Sequence, residues 1–195
     1  MRKRRDVINY LIKKYNYKKY LEIGVSSPRR TFDQINCNYK DGVDPGGECN
    51  YKMTSNNFFK YINENQKYDI IFIDGLHLEK QAKKDILNSL DHLLSGGTII
   101  VHDCNPREEK RQREIQVGKK WNGTVWKAFA KLRMNREDLK MYVVGIDHGI
   151  GIIQRGSQVC FPWHPDKKFT YDFLEKNRIE LLNLISVREF KRILG

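Results

Sequence analysis

The sequence predicts an α/β fold: an open, mostly parallel sheet with helices on both faces and an antiparallel hairpin near its C-terminal end. Three observations carry this. Short apolar runs of strand length alternate with segments of helical periodicity along most of the chain. Two of those runs, Tyr68-Asp69-Ile70-Ile71-Phe72-Ile73 and Thr98-Ile99-Ile100-Val101, end in Asp74-Gly75-Leu76-His77 and His102-Asp103, with one helix-length segment between them. Further on, two strand-like runs meet at Asp147-His148-Gly149, a tight hairpin signal.

Taken in order, residues 5–15 place Val7, Ile8, Leu11, Ile12 and Tyr15 at helical spacing. A short strand over 20–25 is broken by Gly24, and Ser26-Ser27-Pro28 turns the chain into one or two helical turns over 31–35. Residues 40–43 form a second strand, ended by Asp44-Pro45-Gly46-Gly47. Thr54 or Ser55 caps a helix that carries Phe58, Phe59 and Ile62. The strand over 68–73 is followed by a helix over 78–94, with Leu78, Ala82, Ile86, Leu90 and Leu93 on one face, and by a strand over 98–101. Residues 104–123 read as a polar loop and 124–133 as a helix; 139–146 and 149–154 are the hairpin strands. From Phe169 the chain is helical, with Leu174, Leu181, Leu182, Ile185, Phe190 and Ile193 apolar. A chain of 195 residues suits one core, so 1–195 is read as a single domain: an N-terminal helix (1–19), a core (20–154) and a helical extension (155–195).

Composition narrows the function classes. The net charge of +12 favours anionic partners. Yet the basic residues are spread out, except at Met1-Arg2-Lys3-Arg4-Arg5 and Lys110-Arg111-Gln112-Arg113, so nucleic acid is the alternative partner and not the leading one. No apolar run approaches the ~20 residues of a membrane span, and no apolar signal core follows the basic N-terminus, so the expected location is cytoplasmic with no membrane partner. Cys37, Cys49, Cys104 and Cys160 are scattered without a CxxC pair, which indicates neither a zinc knuckle nor a disulfide framework.

Glu22-Ile23-Gly24-Val25-Ser26-Ser27 lies where the first strand meets the first turn, and small residues there let a ligand approach the backbone. The stretch lacks GxGxxG and Pro28 intrudes, which disfavours a dinucleotide. Asp44 ends the second strand, where an acid binds ribose hydroxyls. With Tyr68-Asp69, Leu94-Ser95-Gly96-Gly97 and the closing hairpin, these features resemble class I S-adenosylmethionine-dependent methyltransferases over residues 20–154. Ser26 and Ser27 depart from the glycine-rich form of that family's loop. The resemblance implies a Rossmann-like, doubly wound, seven-stranded sheet and cofactor contacts at Glu22, Gly24, Ser26, Asp44, Ser55 and Asp74. Met53-Thr54-Ser55-Asn56-Asn57-Phe58-Phe59, Ile73-Asp74-Gly75-Leu76-His77, His102-Asp103-Cys104-Asn105-Pro106 and Trp121-Asn122-Gly123-Thr124-Val125-Trp126-Lys127 further resemble a subfamily of small bacterial and viral methyltransferases tied to surface-glycan genes.

A methyl transfer to a hydroxyl needs a positioned acceptor and a base. His77, three residues past Asp74, is the candidate base, with Asp74 beside it as a catalytic residue. Asp74, His102 and Asp103 are candidate ligands of a divalent cation, Mg²⁺ or, given the imidazole, Mn²⁺. Their spacing resembles metal-dependent sugar O-methyltransferases, except that His102 replaces the first of two adjacent acids. Each residue also has a bland reading: Asp74 and His77 as caps of the helix near Leu78, His102 as a hydrogen-bonded edge histidine, Asp103 as the partner of a lysine. Trp126 reads as core and Trp121 as a stacking platform for a sugar or base; His148 reads as a turn residue, and His92 and His164 as surface residues. The sequence thus points to an S-adenosylmethionine-dependent O-methyltransferase acting on a sugar hydroxyl of a glycan or nucleotide sugar, a small-molecule or glycan acceptor, with a homo-oligomer left open. The alternatives are methylation of RNA or another anionic polymer, and a catalytically idle cofactor-binding module.

Overall fold

The computed structural model describes residues 1–162 and 168–195; His164, expected at the surface between Trp163 and Pro165, lies outside the described residues. Seven strands form one sheet in the order β2-β1-β3-β4-β6-β5-β7. They are β1 (Lys19–Ile23), β2 (Tyr39–Val43), β3 (Tyr68–Ile73), β4 (Leu93–Val101), β5 (Leu139–Val144), β6 (Ile150–Arg155) and β7 (Leu184–Ile185). The pairs β2/β1, β1/β3 and β3/β4 are parallel, β4/β6 and β6/β5 antiparallel, and β7 returns parallel to β5. This is the Rossmann-like, mostly parallel sheet with one antiparallel hairpin that the sequence predicts.

The strands are buried on both faces, which explains their nearly continuous apolar runs. Leu21, Ile23, Ile71, Ile73, Ile99 and Val101 point to one face, covered by α2 (Ser55–Tyr61), α3 (Glu79–Asp91), α4 (Val125–Asn135) and α5 (Tyr171–Leu182). Tyr20, Ile70, Phe72 and Ile100 point to the other, covered by α1 (Arg4–Tyr15) and α6 (Val187–Leu194). α1 buries Val7, Ile8, Leu11 and Ile12, the stripe its sequence shows, and ends at Asn16 in a left-handed conformation.

Two expectations change. The helix over 78–94 stops at Asp91, because Leu93 and Leu94 already belong to β4, and the N–H of Tyr68 bonds the carbonyl of His92 at 2.9 Å. His92 is accordingly buried, not at the surface, with Nδ1 2.8 Å from the carbonyl of Gln66. The C-terminal helix is two helices. Asn183 takes φ +44° and donates from Nδ2 to the carbonyl of Met141, and Leu184–Ile185 then add the seventh strand. Asn tolerates this conformation better than other residues that carry a Cβ. Ser186 restarts the chain as α6 through a capping box with Glu189.

The register decides where the site lies. Ile23 stands beside Val43 and Ile73, and Ile73 beside Val101. The ladder continues one residue past each strand: Gly24 N–H bonds Val43 O, Asp74 N–H bonds Ile23 O, and His102 N–H bonds Ile73 O, at 2.8, 2.8 and 3.0 Å. Asp44, Gly24, Asp74 and His102 therefore form a row at the carboxyl edge. The strand order reverses between β1 and β3, the place where open α/β sheets bind ligands.

Candidate active site

A cleft of about 1100 Å³ opens at this edge. Glu22, Gly24, Ser26, Asp44 and Ser55 line one part of it, and His77, His102, Asp103, Trp121 and His148 line another; Asp74 lies on the row that joins them. Every residue proposed from the sequence as a cofactor, metal or catalytic residue thus lines one cavity.

The first part is held mainly by backbone groups. Gly24 has φ +89°, and a Cβ there would sit 2.2 Å from the carbonyl oxygen of Asp74, so the adjoining chain is what first requires glycine at this position. The Asp44 carboxylate accepts N–H bonds from Ser26 at 2.9 Å, Gly46 at 2.8 Å and Gly47 at 2.7 Å, tying the loop after β1 to the loop after β2. Of about four acceptor positions on a carboxylate, one remains, on Oδ2. Ser55 opens α2 behind its Thr54 cap, and its hydroxyl accepts from Gln81 Nε2 at 3.2 Å. Glu22 is buried and accepts a hydrogen bond from Tyr20; burial, partly countered by that bond, pushes its carboxyl up to about 8.

The second part is built of side chains. His102 Nδ1 lies 3.0 Å from both Asp74 Oδ1 and Asp103 Oδ2. Its Nε2 lies 2.8 Å from the carbonyl oxygen of Asp147. A carbonyl only accepts, so the network puts a hydrogen on Nε2 and turns Nδ1 toward the two acids. That nitrogen must share a proton or a cation with them. Burial opposes the charged ring, but Asp74 and Asp103 outweigh it and raise the His102 pKa to about 10. Burial alone would raise the Asp74 pKa; His102, His77 and Arg4 together hold it below the ordinary range.

His77 Nε2 stands 3.5 Å from Asp74 Oδ1 and 3.4 Å from Asp103 Oδ2, longer than a normal N–H···O bond. Burial lowers its pKa, yet the Asp74 contact and the charge of Asp103 raise it above the usual value. Its Nδ1 is buried without a partner among the described residues. The cap reading of Asp74 and His77 is not what the structure shows. Thr124 caps α3 instead, its hydroxyl accepting the Glu79 N–H at 2.7 Å. Nor does Asp103 pair with a lysine; its partners are His102, His77 and, at 3.7 Å, His148.

Several site residues were not read as such from the sequence. Arg4 opens α1 and crosses to Asp74, and its backbone N–H and Nε bond Asp147 Oδ2 at 2.8 and 3.2 Å. The basic N-terminus was visible, but nothing local says which of its cations turns inward. His148, expected as a turn residue, is one and also lines the cleft. Trp121 stacks on His77, with ring centroids 4.9 Å apart and 29° between planes. The Trp121-Asn122-Gly123-Thr124 stretch also grips His77 by its backbone: Thr124 N–H bonds the His77 carbonyl at 2.9 Å, and a Cβ on Gly123 would lie 1.9 Å from that oxygen. Trp126 is core, as expected.

Asp74, His102 and Asp103 offer donor atoms within 4.8 Å of one another. They fit a divalent cation of borderline preference: two carboxylate oxygens and one imidazole nitrogen converge, and the other imidazole N–H is held by a carbonyl, as in many histidine ligands. Arg4 contacts the other oxygen of Asp74, leaving Oδ1 to this group.

Residues 28–104 match the family model described as a methyltransferase domain. Among curated proteins, none matches the sequence. Solved structures share the fold. A presumptive O-methyltransferase of Klebsiella pneumoniae superposes with TM-score 0.58 and 11% identity, covering 77% of this chain and 79% of its own. The methyltransferase PaMTH1 of Podospora anserina, solved with S-adenosylhomocysteine, gives 0.55 and 15%, covering 78% and 77%. The methyltransferase MycE of the mycinamycin pathway, solved with Mg, S-adenosylhomocysteine and mycinamycin VI, gives 0.53 and 13%, covering 78% of this chain and 49% of its own. Among the described residues, no helix is long and apolar enough to cross a membrane.

Proposed function

We propose that this chain is an S-adenosylmethionine-dependent O-methyltransferase whose acceptor is a sugar hydroxyl on a glycan or nucleotide sugar. The observation that carries the reading is the meeting of His77, Asp74, His102 and Asp103 in the same cleft as the Gly24–Asp44 edge. The match of residues 28–104 to a methyltransferase domain supports the reaction class. The O-methyltransferase neighbours support a hydroxyl as the acceptor, and MycE, solved with Mg, supports a cation.

Glu22, Gly24, Ser26, Asp44, Ser55 and Asp74 hold the cofactor, with the free acceptor position of Asp44 Oδ2 available to a ribose hydroxyl. Bound S-adenosylmethionine supplies the methyl group. Asp74, His102 and Asp103 hold a divalent cation, Mn²⁺ or Mg²⁺, which when bound orients the acceptor hydroxyl and lowers its pKa. His77 takes the hydroxyl proton at Nε2, the nitrogen that faces the two carboxylates, and those carboxylates stabilise the imidazolium that results. Trp121 and Thr124 keep the ring in place. The test is an acceptor screen with labelled S-adenosylmethionine against nucleotide sugars, glycan fragments and RNA, before and after chelation. Transfer to a sugar that collapses on chelation and returns with Mn²⁺ or Mg²⁺ supports the reading. Full activity after exhaustive chelation removes the cation from it, and cofactor binding without transfer to any acceptor points to an idle module.

A further inference from the structure

We propose that the acceptor is a phosphorylated small molecule, gripped through its phosphate or diphosphate by Lys119, Lys120 and Arg5 at the mouth of the cleft. This rests on the methyltransferase reading, of which it specifies the acceptor side. Two segments far apart in sequence bring cations to the same opening: the start of α1, with Arg4 and Arg5, and the loop before α4, with Lys119 and Lys120. These cations differ in one respect. Arg4 is engaged by Asp74 and Asp147, whereas Arg5, Lys119 and Lys120 have no ion-pair partner among the described residues.

The acids of the cleft already have other partners. Asp74 and Asp103 are met by His102, Asp147 by Arg4, Asp44 by three backbone N–H groups, and Glu22 by the Tyr20 hydroxyl. Lys3, Arg4, Arg5, Arg30, Lys119 and Lys120 line the cleft against five acids, of which Glu22 is pushed toward its neutral form by burial, so the charge left over is positive. A neutral sugar has no use for it, whereas a phosphate placed there would draw charge-assisted hydrogen bonds from both lysines and the guanidinium. Lys119 and Lys120 are exposed, precede Trp121, which stacks on His77, and line the same cleft as the proposed base.

The same charge distribution argues against a polymer. The other basic cluster, residues 110–113, is partly neutralised from within: Lys110 lies 2.8 Å from Glu108, and Arg111 bonds the same carboxylate. The remaining basic residues are spread along the sequence and form no further run that would serve as a track for a nucleic-acid backbone.

Calorimetry on the full chain tests this, with inorganic pyrophosphate and UDP as probes. Pyrophosphate should bind the wild type, and Lys119→Ala/Lys120→Ala should bind it about tenfold more weakly or worse, since each charged hydrogen bond lost is large. S-adenosylmethionine affinity should be unchanged in that variant, because both lysines are exposed loop residues outside the cofactor edge. UDP binding tighter than pyrophosphate would point to a nucleotide-linked acceptor, and equal binding to a simple phosphate ester; either supports the proposal. Pyrophosphate binding that is absent at low salt, or the same in the variant, overturns it. So does a short single-stranded RNA that binds with a steep salt dependence and is not displaced by pyrophosphate. A wild type that binds pyrophosphate but not S-adenosylmethionine would leave an anion site while removing the methyltransferase reading, so the two failures are distinguishable.

Discussion

The two parts of the cleft are built by different means. Around Gly24 and Asp44 the restraints are backbone ones: a carboxylate holding three N–H groups, and a glycine pressed against the next strand's carbonyl. Around His102 the restraints are mainly charged side chains, from the ends of β3 and β4 and the first residue of α1, joined by a backbone carbonyl from the β5–β6 turn. A backbone cradle tolerates changes at neighbouring side chains. A buried charge cluster does not, because removing one member leaves the others without compensation. The protein thus separates a half held mainly by backbone groups from a half held by charged side chains, the division that the proposed cofactor and proton-transfer sites would use.

Substitutions should fall on one side or the other. The largest effect belongs to the charged half. His77→Ala should lower turnover by about 10²–10⁴-fold while S-adenosylmethionine affinity stays near wild type, as rates and calorimetry together would record. Because a base works in its neutral form, the wild-type rate should rise with pH through a histidine pKa above its ordinary value, and the variant's profile should be flat. Loss of cofactor binding in this variant would break the division, since His77 would then serve both halves.

Asp44→Ala tests the backbone half. It should weaken S-adenosylmethionine binding by roughly 1.5–3 kcal/mol, with the chemical step at saturating cofactor little changed. An unchanged affinity would show that the Ser26–Gly47 loops hold without their carboxylate and that Asp44 has no ligand role.

Arg4→Ala should cost about 1–3 kcal/mol of stability, read by urea denaturation, because Asp74 and Asp147 lose a shared guanidinium. No loss would mean that α1 is fixed by Val7, Ile8 and Leu11 alone and that the charged half is less interdependent than the contacts imply.

Glu22→Gln should have little effect at acidic pH and should show itself as a pH dependence. The Glu22 carboxyl has a folded pKa of about 8, above its unfolded value. The folded state therefore holds the extra proton, and wild-type stability should fall as pH rises from the ordinary carboxylate range through about 8. The glutamine variant should lack that decline and be the more stable of the two above it. Parallel pH curves for wild type and variant would show that Glu22 is ionised in the fold.

The sequence alone placed the six longer strands, though not the start of β4, and their common edge. Ile23, Val43, Ile73 and Val101 are each the last residue of a buried run followed by glycine, acid or histidine, so parallel pairing in register was enough to place Gly24, Asp44, Asp74 and His102 in a row. The period-2 and helical patterns behind that reading are local, set within a few residues. Even the missed break in the last helix had local signs, Asn183 and the Ser186–Glu189 capping box. What only the tertiary structure decided was the company each site residue keeps. Arg4 reaches Asp74 and Asp147 across 70 and 143 residues of chain, and Thr124 caps α3 at Glu79 from 45 residues away. His92 is buried because β4 starts earlier than its apolar run suggests, and His148 faces the cleft because the hairpin turn docks against Cys104 and Asn105. Such pairings depend on how helices cross the sheet edge, and a charged side chain has no sequence period that announces whether it will turn outward to water or inward to an opposite charge.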